Sequence, residues 1–393
     1  MKRFTLIIDG HNFFFRSLWS VFKQKDKKIL ESEKDKDLFE KKLMIEFCQL
    51  MKNLNPIVND VVFVKDSHSW RKELLLQQEY KGNRRKTQDN INMVNFSEVI
   101  NNFTDTLISM GVKISQVDRC EGDDLISAWS DYLFNAGKSS LILSTDKDLT
   151  QLVKCVNDVH IIQYAPINNK LYISAATQTN MDEAKNRVIT EENLLGEVFM
   201  IAVENDAFDN FVQSTDVELV NPEFVRFTKV VGGDTSDNIY PVYYKKGDGE
   251  TRSKGIGAKT VLKIYNAFKE RLGCEFDYHI YYDKDAMILL SNVIYDVAKI
   301  KDEEFTRKML IENIKTNVSL VVLSKESIPE DVVNNMTSNI IEENEKRQVV
   351  LSKITKESMF SKSRFKEYKS SIQIKSNILK NVIDDGDMSF IKD

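Results

Sequence analysis

Four short apolar runs in this chain end on acids, and that coincidence limits the possible folds more than any other feature. The runs are Phe4–Ile8, Val61–Val64, Val112–Val117 and Leu141–Leu143, each bounded by polar or turn residues. Asp9 closes the first, Asp66 follows the second after one residue, and Asp146 lies just past the fourth. Glu121, Asp123 and Asp124 follow the third and open a helix-like segment. Helical patterns fill the gaps at Lys36–Asn53, Phe96–Met110 and Asp123–Asn135, and a fifth run at Val159–Gln163 continues the alternation. Strands and helices alternating at this spacing predict an α/β fold, a parallel sheet with helices on both faces. Such sheets bind their ligands beyond the carboxyl ends of the strands. One acid there is ordinarily a helix cap or turn former. Four strand ends carrying acids together describe a carboxylate-lined crater.

Crowded carboxylates raise one another's pKa, and a divalent cation relieves the conflict. All-oxygen donors suit Mg²⁺, for which Mn²⁺ can substitute, and not zinc. Two such ions could activate a water and stabilise the leaving oxygen of a phosphodiester. With only His11, His68, His160 and His279 and no HExxH, a zinc hydrolase is disfavoured. The chain also lacks GxxxxGKS/T, which argues against a P-loop. Two further acid pairs fit the crater: Asp146 with Asp148 at i, i+2, and Asp234 with Asp237 at i, i+3, on one side of a helical turn. The segment Tyr80-Lys81-Gly82-Asn83-Arg84-Arg85-Lys86 sets four cations and an aromatic just beyond Asp66. It reads as a phosphate-contacting stretch, with a solvated loop as the plain alternative. The net charge of −5 does not announce a nucleic-acid binder, but a cluster of metal-binding acids would hide a basic surface inside that total.

At 393 residues the chain has room for two or three domains. Cys48, Cys120, Cys155 and Cys274 have no paired spacing, which fits a reducing cytoplasm and no structural zinc. No apolar run approaches a membrane span, and Met1-Lys2-Arg3-Phe4 leads straight into a strand-like run, so neither a membrane segment nor a signal peptide is expected.

In chain order, Ile8-Asp9-Gly10, Asp66, Glu79-Tyr80-Lys81-Gly82-Asn83-Arg84, Glu121-Gly122-Asp123-Asp124, Ser144-Thr145-Asp146-Lys147-Asp148, Gly233-Asp234-Thr235-Ser236-Asp237-Asn238 and Gly255-Ile256-Gly257-Ala258-Lys259-Thr260 resemble the flap endonuclease and 5′-3′ exonuclease family. This is a PIN-like nuclease family, and the chain looks most like its phage branch, the ribonuclease H type that removes RNA primers. The resemblance implies that Asp9, Asp66, Glu121, Asp123 and Asp146 form an inner metal shell. It gives Asp124, Asp148, Asp234 and Asp237 to a second ion, directly or through water. Tyr80 would stack on the base next to the scissile phosphate, and Lys81 and Arg84 would neutralise that phosphate, with Arg85 beside them on the DNA. Residues of about 80–110 would form a helical arch around a single strand. Gly255, Gly257, Lys259 and Thr260 would form a helix-hairpin-helix gripping duplex backbone, an element a monovalent cation can accompany.

The implied layout is a nuclease domain over 1–220 with an insertion at about 158–220, an acidic and hairpin region over 221–270, and a helical region over 271–393. The implied partners are DNA and RNA–DNA hybrids with 5′ ends or flaps, bound by a monomer acting in DNA replication. Two rival readings are a non-catalytic DNA-binding homologue and a PIN-type single-strand ribonuclease. The intact acid set argues against the first and Gly255–Thr260 against the second. Four features depart from the family: the insertion at about 158–220, Gly122 where alanine is usual, an insert at 242–254, and a C-terminal third that matches nothing familiar. The acidic tail that ends in Phe390 and Ile391 either docks on its own domain or anchors a single-strand-binding protein or sliding clamp.

Overall fold

Phe4–Asp9 (β1) is buried along its whole length, as expected of a central strand covered on both faces. It pairs in parallel with Val58–Val64 (β2), and β2 pairs in parallel with Lys113–Ser115 (β3). On its other side β1 pairs in parallel with Ser140–Leu143 (β4). Beyond β4 the sheet continues: Lys154–Val156 (β5) lies antiparallel to Val159–Ala165 (β6), β6 runs parallel to β4, and Lys170–Ser174 (β7) turns antiparallel. Val188–Glu192 (β8) and Val198–Ala202 (β9) make a separate antiparallel hairpin, and Asp216–Val220 (β10) closes the edge parallel to β7. The order is β10-β7-β6-β4-β1-β2-β3, with β5 on β6. The expected insertion at about 158–220 therefore includes the extension of the main sheet. The computed structural model describes residues 4–365 apart from 24–25, 27, 75–79, 83–88, 180–187, 193–197, 203–206, 247–251, 274–275, 302–304, 347–350 and 364. Arg84, Arg85 and the tail at 384–393 lie outside the described residues.

Alternation along β1 sorts its side chains between two cores. Leu6 and Ile8 point to a layer of Gly10–Val21 (α1), Glu33–Leu54 (α2) and Met93–Ser109 (α3), where Phe13, Phe47, Phe63 and Phe103 pack together. Ile7 points the other way, onto Leu125, Ile126 and Trp129 of Gly122–Asn135 (α4). Because α3 buries Phe96, Val99, Ile100, Phe103 and Leu107, it belongs to the core. The arch expected over about 80–110 thus cannot extend past residue 92: the apolar spacing of α3 commits it to the sheet.

Past the short helix Ala207–Gln213 (α5), a third core forms from Pro222–Gly232 (α6), Ala258–Leu272 (α7), Lys284–Ala298 (α8) and Arg307–Val321 (α9). Phe227, Val230, Val261, Ile264, Phe268, Leu290 and Ile314 fill it. The insert before Gly255 contains an antiparallel hairpin of Tyr244–Lys246 (β11) and Arg252–Gly255 (β12). The chain then returns to the sheet. Glu330–Lys346 (α10) sets Val332, Met336 and Ile340 into the α4 core, and Asn339 accepts from Ser115 Oγ at 2.5 Å. Lys356–Lys362 (α11) sets Met359 against Cys48 of α2.

At Gly10 the backbone of α1 lies against β2. A Cβ there would stand 2.3 Å from the Val64 carbonyl oxygen and 2.7 Å from the Phe63 ring. Gly10→Ala is therefore expected to destabilise the protein by about 1–3 kcal/mol through overpacking. Urea unfolding measures this, and an unchanged midpoint would contradict the close approach.

Candidate metal centre

The acids at the strand ends sit where β1, β2 and β4 stop side by side. Asp9 caps α1, its Oδ1 accepting from the Asn12 amide at 3.0 Å. Its Oδ2 accepts from Ser144 Oγ at 2.6 Å, and that hydroxyl accepts from the Asp146 amide at 3.0 Å. Ser144 thus ties the end of β1 to the end of β4. Asp66 Oδ1 accepts from the Gly122 amide at 2.8 Å, where α4 begins, and Oδ2 lies 3.6 Å from His11 Nδ1. Asp146 Oδ1 accepts from the Asp148 amide at 2.9 Å, capping the turn Lys147–Leu152.

Crowding shows in the electrostatics. Burial, then the charges of Asp66 and Asp146, push Asp9 up to about 7. Asp123 is held well above the usual carboxylate range by burial and by Asp146, Asp9 and Asp66, against the pull of Lys81. Asp148 is raised to about 6 by burial and Asp146, with Lys229 opposing. A set of hard oxygen donors that cannot all stay ionised fits a divalent cation. Carboxylate oxygens of Asp148, Asp234 and Asp237 lie within 4.8 Å of one another, close enough to share an ion. Among the described residues no other group of three reaches that spacing. Asp9, Asp66, Asp123 and Asp146 form a wider ring that interacts through charge.

Cations occupy the flanks. Lys81 Nζ lies 2.6 Å from Glu121 Oε1 and 3.9 Å from Asp237 Oδ2. Arg71, fully buried, donates to Glu121 Oε2 at 3.0 Å and to both oxygens of Asp124, at 2.6 and 2.8 Å. Burial alone would push Glu121 up, but Lys81, Arg71 and the Tyr80 hydroxyl together hold it down at about 2. Lys229, at the end of α6, bridges Asp148 and Asp234.

Three of the expected site residues have partners inside the protein. Asp124 was expected at the second ion, but it is wholly buried, with both oxygens on Arg71 and one also on Trp70 Nε1 at 3.1 Å. It is the counter-ion of Arg71. Tyr80 was expected to stack on a base, but its ring is buried in the third core and its hydroxyl donates to Glu121 at 3.1 Å. Lys81 Nζ lies over that ring, 5.0 Å from its centroid. Glu121, expected in the inner shell, has both oxygens engaged by Lys81, Arg71 and Tyr80. Gly255, Gly257, Lys259 and Thr260 stand together at the start of α7, where Gly257 is the N-cap without a side-chain cap and Lys259 is exposed. Arg71 and Lys229 were not singled out in the sequence. The only signal for Arg71 is an arginine beside a tryptophan shortly after Asp66, and for Lys229 a lysine five residues before Asp234.

The core of this molecule is thus a mainly parallel α/β sheet covered on both faces, with acids gathered at the ends of its central strands and cations beside them. Residues 4–189, just under half of the chain, match the model of the 5′-3′ exonuclease N-terminal, resolvase-like domain. DNA polymerase I of Streptococcus pneumoniae is 28% identical over 152 residues, 38% of this chain, and the chain spans only 16% of that polymerase's length. Among solved structures, a bacteriophage T5 flap endonuclease in a pseudo-enzyme-product complex with DNA and metal ions aligns with a TM-score of 0.51 at 19% identity, covering 88% of this chain and 100% of that one. A bacteriophage T5 5′-exonuclease with zinc bound aligns at 0.50 and 18% identity, covering 87% of this chain and 100% of that one. The likeness to both is one of fold. No helix among the described residues is long and apolar enough to cross a membrane.

Two predictions follow from the charges. Arg71→Met leaves Asp124 buried and unpaired, so unfolding free energy should drop by about 3–5 kcal/mol; a loss under about 1 kcal/mol in urea unfolding would contradict the pairing. Asp9 and Asp148 have folded pKa values above their ordinary 3.8, so the folded state binds more protons and their stabilisation is lost as pH rises through about 6 and about 7. Glu121 acts oppositely, but its contribution is complete above its ordinary 4.5. In chelator, the melting temperature should therefore fall between about pH 5 and about pH 8, and Asp9→Asn should flatten that fall. A melting temperature that rises over this interval contradicts the crowding.

Proposed function

We propose that this protein is a divalent-metal-dependent 5′-nuclease that hydrolyses phosphodiesters of DNA and RNA–DNA hybrids at 5′ ends and flaps. Its role would be removal of RNA primers and short flaps in DNA replication. The observation that carries this reading is the set of mutually repelling acids, with Asp9 raised to about 7 and Asp123 well above its ordinary value, at the ends of adjacent parallel strands. Asp9, Asp66, Asp123 and Asp146 would hold one ion, and Asp148, Asp234 and Asp237 the other. Bound there, Mg²⁺ or Mn²⁺ would supply Lewis acidity and a water of lowered pKa.

The chain's own groups do the rest. Ser144 holds the Asp9 and Asp146 segments together, and the Gly122 amide orients Asp66. Lys81, poised on Glu121, brings a positive charge to the edge of the crater, where it can offset charge developing on a phosphate. Arg84 and Arg85 would add to that cationic rim. The amides at the start of α7, with Lys259 and Thr260, suit a backbone phosphate of the duplex, away from the cut and without reading sequence. A monovalent cation can join that contact.

End-labelled 5′-flap, nicked and RNA–DNA hybrid substrates test the proposal. Cleavage should require Mg²⁺ or Mn²⁺ and stop with EDTA. Asp146→Asn should cut at least about 100-fold more slowly, as expected when a metal site is disturbed, while still binding DNA in a gel-shift assay. Cleavage by that variant at the wild-type rate would remove Asp146 from the site, and cleavage undiminished in EDTA would reject the metal-dependent reading.

A further inference from the structure

The loop that carries Asp234 and Asp237 is folded back against the helix before it. Helix α6 ends with the Gly233 amide donating to the Lys229 carbonyl at 3.0 Å, and Gly233 has φ +71°. A side chain there would stand 2.5 Å from the Tyr240 backbone, so the reversal needs glycine. Beyond it, Asp234 and Ile239 exchange backbone hydrogen bonds of 2.9 and 2.7 Å, and Ser236 donates twice to Asp234 Oδ1, at 2.8 and 2.6 Å. Asp234 is thereby aimed back at Lys229 of the helix it follows. The same helix is fixed to the Asp148 turn, because Arg226 donates to the Gln151 carbonyl.

The result is an ammonium among carboxylates. Lys229 Nζ contacts Asp148 Oδ1 and Asp234 Oδ2, two of the three acids whose oxygens lie within 4.8 Å of one another. Both carboxylates are mostly buried, and the lysine side chain is 19% exposed. A lysine ordinarily carries its charge at neutral pH, and the two carboxylates in contact with Nζ favour that charge. Three negative charges with one ammonium leave a net charge that one divalent ion would cancel more completely. The ion and the ammonium need the same oxygens.

Building on the two-metal reading above, we propose that Lys229 is an internal competitor for the second ion: its ammonium holds Asp148 and Asp234 together until the divalent cation displaces it. The second site is therefore preformed but weak, and filling it frees a cation at the crater's edge. This makes Lys229 a positioning residue whose effect falls on metal affinity. Removing it should leave the site at Asp9, Asp66, Asp123 and Asp146 unchanged and strengthen the other.

The test is Mn²⁺ binding without nucleic acid, counted from the electron paramagnetic resonance signal of free Mn²⁺. Wild type should show a stronger and a weaker site. In Lys229→Met the weaker constant should tighten by about tenfold or more, since a charge in contact shifts a neighbour's equilibrium by about one to three log units. Lys229→Arg, which keeps the charge, should stay near wild type. Thermal melting guards against a folding defect: without metal Lys229→Met should melt below wild type, and Mn²⁺ should raise its melting temperature by more than it raises the wild type's. A weaker constant that is unchanged or loosened in Lys229→Met, with the stronger site retained, overturns the assignment of Lys229 alone. Failure of both proteins to bind Mn²⁺ overturns the two-metal reading with it.

Discussion

Repulsion between carboxylates is the constraint around which the rest of this structure is arranged. The parallel register of β1 with β2 and β4 brings Asp9, Asp66 and Asp146 to one end of the sheet. Nothing in the packing of a sheet favours that gathering, and burial makes it worse. The fold answers with three cations of different character. Arg71 is sealed in with Asp124 and neutralises the start of α4 permanently. Lys81 leans on Glu121 at the rim. Lys229 lies among the acids whose oxygens are closest together. The hydrogen bonds of Ser144 and the Gly122 amide do the same work without charge, stabilising individual carboxylates against their neighbours.

That arrangement separates two kinds of acid that look alike in the sequence. Asp123 and Asp124 are adjacent, yet one faces the crater with its pKa raised and the other is locked in a bidentate pair. Helical geometry turns neighbouring side chains about 100° apart, so adjacent acids at the start of α4 must face different surroundings. Their roles depend on what the sheet and the turn at Trp70-Arg71 bring to each side.

The parts of the fold legible in the sequence were those with strong local patterns. β1, β2 and β4 each contain a short apolar run, and α2, α3 and α4 carry a clear apolar stripe. The acids of the crater were legible because they stop those runs. What the sequence leaves unmarked is non-local or half-exposed. Asp216–Val220 is an edge strand with no fully buried residue, so it has no apolar signature. Arg71 meets Asp124 across 53 positions, and no spacing rule reaches that far. Tyr80 looks like a surface aromatic among cations, and only the packing of the third core shows that its ring is inside. The expected arch overlaps α3 because the apolar stripe that commits this helix to the sheet was outweighed by its place after the basic segment in the chain.

Helix α10 closes the sheet face opposite α1–α3, placing Val332, Met336 and Ile340 beside Ile7, Val62 and Trp129. On the same side, the Ser319 carbonyl of α9 accepts from Arg71 Nε at 3.2 Å. Residues more than two hundred positions apart thus share one core and one hydrogen-bond network. The matched stretch 4–189 has a family boundary but no physical one: cutting the chain there would expose an apolar sheet face and strip a buried arginine of one of its acceptors. The unit of inheritance and the unit of folding do not coincide in this protein, and the unfamiliar C-terminal third is the wall against which the familiar site is built.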